Sequence, residues 1–354
     1  MEISTLINTT DGVYVCGSNA NSRLGFDDDV RYMKKLTKLP FKHEVYSIVY
    51  GYNRTCLVTS NGFYLCGSNS FKQLPFYDKE DNVINKFTKL HLPFHIYLIA
   101  FGRTHTVMHT SNGLQVCGSN LRGQIGLNIV SLASGPVKLE FKHEVYDVTC
   151  SQYGTYITSS DGLYVCGCND YGQFGLGNKG NVKELTKVEF DHKIYSIHCG
   201  LNHTIYVTSD GLYACGMNNH HQCIINEPEN IYVLTKVELE FTVYSVTCGS
   251  YSTYLITSDG TYVCGVSFYG QFGMENGKKV SFKLTKIDID AQHIICGLYH
   301  TLFITSDGIY SCGENHNYEL GVSNKHVTNS YNKIHFEHTV IIPNHINTKS
   351  ARIT

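Results

Sequence analysis

A Cys-Gly pair recurs at Cys16, Cys66, Cys117, Cys166, Cys215, Cys264 and Cys312, with spacings of 50, 51, 49, 49, 49 and 48 residues along the 354-residue chain. A period held this closely means an array of equivalent supersecondary units. Each pair follows an Asp-Gly or Asn-Gly dipeptide: Asp11-Gly12, Asn61-Gly62, Asn112-Gly113, Asp161-Gly162, Asp210-Gly211, Asp259-Gly260 and Asp307-Gly308. Such dipeptides supply the positive φ of tight hairpin turns. They separate two short apolar runs, as in Ile205-Tyr206-Val207-Thr208 and Leu212-Tyr213-Ala214-Cys215, which together read as a β-hairpin. An alternating run precedes the hairpin (Ile194-Tyr195-Ser196-Ile197-His198-Cys199) and a further one, Leu185-Thr186-Lys187-Val188-Glu189-Phe190, precedes that. Four short strands in about 50 residues is the size of a propeller blade.

The two ends of the chain predict a closed ring. Ser4-Thr5-Leu6-Ile7-Asn8-Thr9-Thr10-Asp11-Gly12 aligns without a gap on His300-Thr301-Leu302-Phe303-Ile304-Thr305-Ser306-Asp307-Gly308, so the first unit starts at its second strand. Near the other end, Thr339-Val340-Ile341-Ile342 matches the first strand of a unit that does not continue. One composite blade built from both termini then closes the array, whereas an open solenoid would need polar capping units. The expected fold is all-β: a seven-bladed β-propeller of four-stranded antiparallel blades, occupying 1–343, with a short C-terminal tail over 344–354.

The recurring scheme Gly-x-x-His-Thr, then Thr-Ser-Asp-Gly-x-Tyr-x-Cys-Gly-x-Asn-x-x-Gly-Gln-x-Gly, resembles the repeat of the regulator of chromosome condensation (RCC1) family of seven-bladed propellers. The resemblance runs from Ser4 to about Ile342. Where that family usually has Trp before the Gly, this chain has Cys, and it contains no Trp.

Fourteen cysteines would suit a disulfide framework or metal sites, but seven lie in the Cys-Gly pairs and Cys150, Cys199, Cys248 and Cys296 end the first strand of four units. Equivalent positions fall in different blades, so buried reduced thiols in a reducing compartment are expected, with no metal and no cofactor. A net charge of −2 gives no general attraction to nucleic acid or anionic membrane. The opening Met1-Glu2-Ile3-Ser4 does not read as a secretory signal, and no apolar run reaches membrane-spanning length. An intracellular protein, cytoplasmic or nuclear, acting as a monomer, is the expectation.

Antiparallel connection fixes two faces. The Asp-Gly turns and the links between blades open on one, the hairpin face. On the other, the loop face, lie the connections from first to second strand, near the axis, and the long, variable connections from third to fourth strand. These long loops are read as Phe26 to Leu36, Phe71 to Phe87, Leu127 to Pro136, Gly177 to Leu185, Ile224 to Leu234, Glu275 to Leu284 and Val322 to Tyr331. The short axial loops carry the candidate partner-binding residues Tyr52, Asn53, Arg103, Tyr153, Asn202, Tyr251 and Tyr299, residue types favoured in interfaces. His105, His203 and His300, and Ser252 and Arg54 in the same place, are read as structural groups of these loops. Lys38, Lys89, Lys138, Lys187, Lys236, Lys286 and Lys333 recur once per unit on the outermost strand, where lysine blocks edge-to-edge pairing.

No phosphate-cradling Gly-x-x-x-x-Gly-Lys-Ser/Thr loop, His-Glu-x-x-His or nucleophile elbow is present. The favoured function is a non-catalytic protein–protein interaction module. The alternative that the resemblance implies is guanine-nucleotide exchange on a Ran-like small GTPase. In the family's exchange factors, acidic residues occur in the axial loops and a β-wedge protrudes from one blade. Here those loops carry Asn53, Thr104, Tyr153, Asn202, Tyr251 and Tyr299 before the His position, and Gly118-Ser119-Asn120-Leu121-Arg122-Gly123-Gln124-Ile125-Gly126 leaves no room for a wedge. The basic N-terminal tail of chromatin-binding relatives is also missing, so nucleic acid and chromatin are not expected partners.

Overall fold

The computed structural model describes residues 4–27, 29–76, 81–128, 132–227, 229–274, 280–322, 326–336, 338–341 and 350–352. Short antiparallel strands form seven separate sheets. In blade 2 the chain passes in order through Val45–Gly51, Arg54–Thr59, Gly62–Ser68 and Val83–Lys89, each strand pairing with the next. Blades 4 to 7 repeat this order.

The hairpins differ slightly from the simplest reading of Asp-Gly. Thr59 pairs directly with Gly62, which leaves a two-residue turn, and Gly62, not Asn61, takes a positive φ of 117°. The Thr59 hydroxyl closes the turn, donating to Gly62 O at 2.8 Å and accepting from Asn61 N–H at 3.1 Å. The glycine of each Cys-Gly pair has a separate necessity. Gly67 has φ 111°, and a Cβ there would lie 2.3 Å from Asn53 O, so the third strand passes the axial loop only without a side chain.

The same pair is where the outer strand slips register, from Leu65↔Thr88 to Gly67↔Ile84. Beyond this bulge the outer strands continue further than their alternation suggests, starting at Tyr32, Val83, Leu132, Val182, Ile231, Val280 and Thr328. The long loops are therefore shorter than expected, and parts of several lie outside the described residues.

The core lies between neighbouring blades. Val49, Cys56 and Leu65 of blade 2 pack with Ile99, Phe101 and Met108 of blade 3. None of the fourteen cysteines forms a disulfide, and most are buried. The Cys-Gly thiols also point across these gaps: Cys117 Sγ donates to Gln73 O at 3.5 Å, Cys215 Sγ to Gln173 O at 3.2 Å, and Cys312 Sγ to Gln271 O at 3.2 Å. Burial pushes the Cys117 and Cys264 thiols up to about 12, which keeps them protonated.

Blade 1 has three strands from the N-terminus, Ser4–Thr9, Gly12–Ser18 and Tyr32–Lys38. Its inner edge receives the far end of the chain. Val340 bridges Thr9, Thr10 N–H donates to Thr339 O at 3.2 Å, and Ile341 N–H donates to Asn8 O at 2.8 Å. This is the composite closure expected from the repeat; Ile342 lies outside the described residues. Of the tail over 344–354, only Ser350–Arg352 is described. It pairs antiparallel with the inner strand Ile96–Phe101, which gives blade 3 a fifth strand.

Candidate protein-binding face

The axial loops of the loop face are fixed by their main chain. In blades 2, 4, 5 and 7, the carbonyl just before the His position accepts an N–H from the end of the third strand: Asn53 O from Ser68 at 2.8 Å, Tyr153 O from Cys168 at 2.8 Å, Asn202 O from Met217 at 2.8 Å and Tyr299 O from Glu314 at 2.9 Å. Neighbouring loops are tied together as well, with Arg103 N–H donating to Gln152 O at 2.8 Å and Leu201 N–H to Ser250 O at 2.9 Å. The side chains thus stand on a rigid ring.

All seven candidate residues are half-buried, not fully exposed loop tips. Three of them meet. The Arg103 guanidinium carbon lies 4.1 Å from the ring centroid of Tyr52 and 5.7 Å from that of Tyr153, which joins blades 2, 3 and 4 in one cation–π stack. A second aromatic group forms across the axis, where Tyr299 and Tyr269 have centroids 4.5 Å apart. Burial raises the pKa of both Tyr251 and Tyr299, so their hydroxyls stay protonated donors. Asn53 enters through its carbonyl, and the Asn202 amide reaches Met217 Sδ at 3.9 Å; neither belongs to the Tyr52–Arg103–Tyr153 stack.

The histidines are junction groups. The Thr155 hydroxyl donates to Gln124 O at 2.7 Å, so the 3.1 Å contact between His105 Nε2 and Thr155 Oγ1 needs the proton on Nε2. The same pattern joins His203 to Thr253, whose hydroxyl donates to Gln222 O, and His300 to Thr5, whose hydroxyl donates to Glu319 O. Burial lowers His105 to about 3 and His300 to about 4, which keeps these rings neutral. Where Gly154 and Ser252 replace His, Tyr156 and Tyr254 reach the next blade's Thr204 and Thr301 instead, each at 2.9 Å. Arg54, in the His place of blade 2, is buried and donates to the carbonyls of Gly102, Arg103 and His105.

Several residues on this face went unread in the sequence. Tyr171 and Tyr269, two residues before the Gln of the Gly-Gln-x-Gly segment, stand at the edge of the aromatic groups, and Phe71, Leu121 and Phe268 of the same loops are exposed. Glu314, at the end of a third strand, brings a carboxylate beside Tyr299 although the axial loops themselves carry none. An apolar or aromatic residue two or three positions before the Gln was the available signal.

The outer-strand lysines do more than guard an edge. Lys38, Lys187, Lys236, Lys286 and Lys333 each pair with the Asp of their own blade's hairpin. Lys89 donates to Asn61 Oδ1, and Lys138 pairs with Glu140. The axial mouth between the short loops encloses about 80 Å³, well below the roughly 300–1,000 Å³ of a ligand cleft. Among the described residues no group of three or more His, Cys, Asp or Glu is placed to hold a metal. No helix among them is long and apolar enough to cross a membrane.

A family model described as the regulator of chromosome condensation (RCC1) repeat matches residues 160–207, and a second model of the same description matches 194–222. Residues 160–222 thus match the RCC1 repeat, within a chain folded as a seven-bladed propeller. Among solved structures this propeller is similar to human WBSCR16, at 20% identity over 91% of this chain and 94% of that one, with a TM-score of 0.79. It is also similar to Prp20p from Saccharomyces cerevisiae, at 17% identity over 93% of this chain and 87% of that one, TM-score 0.78; that structure is described with its binding to Gsp1p and histones. Yeast RCC1 (Prp20) bound to Kap60 aligns at 17% identity over 94% of this chain and 84% of that one, TM-score 0.78. These likenesses establish the fold of the propeller. A search of curated protein sequences finds no match.

Proposed function

We propose that this propeller is a protein-binding module of a reducing compartment that engages its partner through the loop face, without chemistry of its own. The observation that carries this reading is the stack of Arg103 between Tyr52 and Tyr153, held on a hydrogen-bonded ring. Arg and Tyr presented on rigid backbone lose little conformational entropy on binding and are the commonest interface anchors. The exposed Phe71, Leu121 and Phe268 widen the same surface.

Replacing Tyr153 and Tyr251 together by Ala weakens partner binding by about tenfold or more, since truncating an anchor typically costs about 2 kcal/mol. Capture from cytosol by the native propeller, compared with the double variant, measures this. Because both rings are half-buried, circular dichroism and thermal melting of the variant accompany the measurement. Undiminished capture by a folded double variant refutes the assignment of the face.

A second reading, nucleotide exchange on a Ran-like small GTPase, draws on the likeness to Prp20p, described with its binding to Gsp1p, and on Glu314, which places one acid on the face. The axial loops offer tyrosines where exchange needs groups that disturb magnesium and phosphate contacts, so the binding module is preferred. Accelerated nucleotide release from such a GTPase, by orders of magnitude, reverses that preference.

A further inference from the structure

The inner strands of blades 2 to 6 all carry tyrosine as their second residue: Tyr46, Tyr97, Tyr146, Tyr195 and Tyr244. Inner strands begin at the hairpin face, so these five surround the axis on the side opposite the loop face. All five are exposed, whereas Tyr156, Tyr206 and Tyr254 on the second strands are fully buried. Packing does not explain an aromatic ring kept in solvent at one repeated position.

The two most exposed, Tyr195 at 62% and Tyr244 at 69%, lie in adjacent blades. The links leading into blades 5, 6 and 7 add Glu189, Asp191, Glu238, Glu240, Asp288 and Asp290, all exposed and, among the described residues, none in an ion pair. The hairpin aspartates beside them are already neutralised, Asp210 by Lys236 and Asp259 by Lys286, so the links supply the net charge of this sector. Against six carboxylates the three links carry a single cation, Lys193, and its ammonium lies 5.7 Å from the centroid of the Tyr195 ring.

We propose that this sector of the hairpin face is a second binding surface, which takes an extended lysine- or arginine-rich segment of a partner protein. The partner's cations lie over the faces of Tyr195 and Tyr244 and between the link carboxylates. Lys193 over Tyr195 shows that this ring accepts a cation in this setting. Six carboxylates on three neighbouring links favour a basic partner and repel nucleic acid. An extended chain also fits the axis: the propeller seats its own Ser350–Arg352 antiparallel on the inner strand of blade 3, with Arg352 opposite Leu98, one step from Tyr97.

The probe is a fluorescein-labelled peptide alternating arginine and serine, with a glutamate–serine peptide as control, read by fluorescence anisotropy. The basic peptide binds, the control does not, and affinity falls as salt rises. Tyr195→Ala with Tyr244→Ala lowers affinity by about tenfold, the loss of two cation–π contacts. Tyr195→Phe with Tyr244→Phe keeps it within about twofold, because the ring face remains. Glu238→Gln with Glu240→Gln weakens binding and flattens its salt dependence. Tyr153→Ala with Tyr251→Ala leaves it unchanged, which separates this surface from the loop face. No binding at low salt, equal binding of the control, or indifference to both the Ala pair and the Gln pair overturns the proposal.

Discussion

The junction between blades 3 and 4 and the junction that closes the ring between blades 7 and 1 use the same parts in different states. In the first, His105 Nε2 meets Thr155 Oγ1 at 3.1 Å and Thr155 donates to Gln124 O at 2.7 Å. At the closure His300 Nε2 meets Thr5 Oγ1 at 3.1 Å, and Thr5 donates to Glu319 O at 2.7 Å. The side chains after those carbonyls differ. Gln124 accepts from Arg122 N–H and donates to Thr104 Oγ1, which uses both ends of its amide. Glu319 accepts from Asn317 N–H through Oε2, while its buried Oε1 has no hydrogen-bond partner. One junction is covalently continuous and carries a neutral amide, Gln124, with both ends hydrogen-bonded; the other is held by a strand from the far terminus and contains a carboxyl group out of water. Ring closure therefore copies the geometry of an ordinary junction but adds two liabilities, each open to test.

The largest effect is expected from removing the closing strand. Deleting residues 339–354 strips Thr339 and Ile341 from Thr10 and Asn8 and uncovers Ile7, Leu302 and Ile309, which pack near Val340. A loss of several kcal/mol, or a melting temperature lower by roughly 10 °C, follows. Deleting only 350–354 removes the three-residue strand on blade 3 and costs much less. Equal melting temperatures for the two truncations sink the closure model.

Next is Glu319→Gln. Burial raises the Glu319 carboxyl to about 7 from an ordinary value near 4.5. A folded-state pKa above the unfolded one means that the favourable contribution is complete below the ordinary value and is lost as pH rises towards 7. The variant, with the amide that five other repeats use at this position, then gains up to about 3 kcal/mol over the native chain at pH 8 and almost nothing at pH 4.5. Denaturant melts of both proteins at the two pH values decide it. A difference that does not change with pH removes Glu319 from the account.

His105→Ala and His300→Ala sharpen the comparison further. Each removes a buried hydrogen bond to the next blade's threonine and leaves a cavity, at about 2 kcal/mol. If the closure differs from blade 3–4 only in Glu319 and in its strand, the two costs agree within about 0.5 kcal/mol. A clearly larger cost at His300 indicates strain in the closed ring.

The ring was legible because its signals are local: a turn dipeptide, a Cys-Gly pair and two alternating runs, returning seven times. The starts of the outer strands were not, since the bulge between Leu65 and Gly67 slips the register that alternation relies on. The His-to-Thr junction is also invisible along the chain, because its partners lie about 50 residues apart and come together only when blades stack. Of the candidate site, the positions of Tyr52, Arg103 and Tyr153 were readable, but not that a guanidinium lies between two rings. Glu319 was legible in hindsight as a departure from Gln in Gly-Gln-x-Gly, and the tyrosines of the hairpin face as the second residue of each inner strand.

The smallest expected effect compares two hairpins. Asp307 in blade 7 accepts from Lys333 Nζ at 2.8 Å and from the Tyr310 hydroxyl at 2.8 Å. These hydrogen bonds, the lysine's first, hold its carboxyl well below the usual carboxylate range. A depressed folded pKa contributes stability that is present above the ordinary Asp value and lost as pH falls through the folded one. Yet Asp307 is solvent-exposed, where such pairs contribute little, and blade 2 builds the same hairpin with Asn61, whose Oδ1 takes the Lys89 ammonium at 2.7 Å. Asp307→Asn therefore converts blade 7 to the arrangement of blade 2. The melting temperature falls slightly at neutral pH and low salt, and the difference disappears in about 1 M salt, where charges are screened within roughly 3 Å. A large loss, or one that persists at high salt, means that this aspartate holds the hairpin by geometry that asparagine does not reproduce.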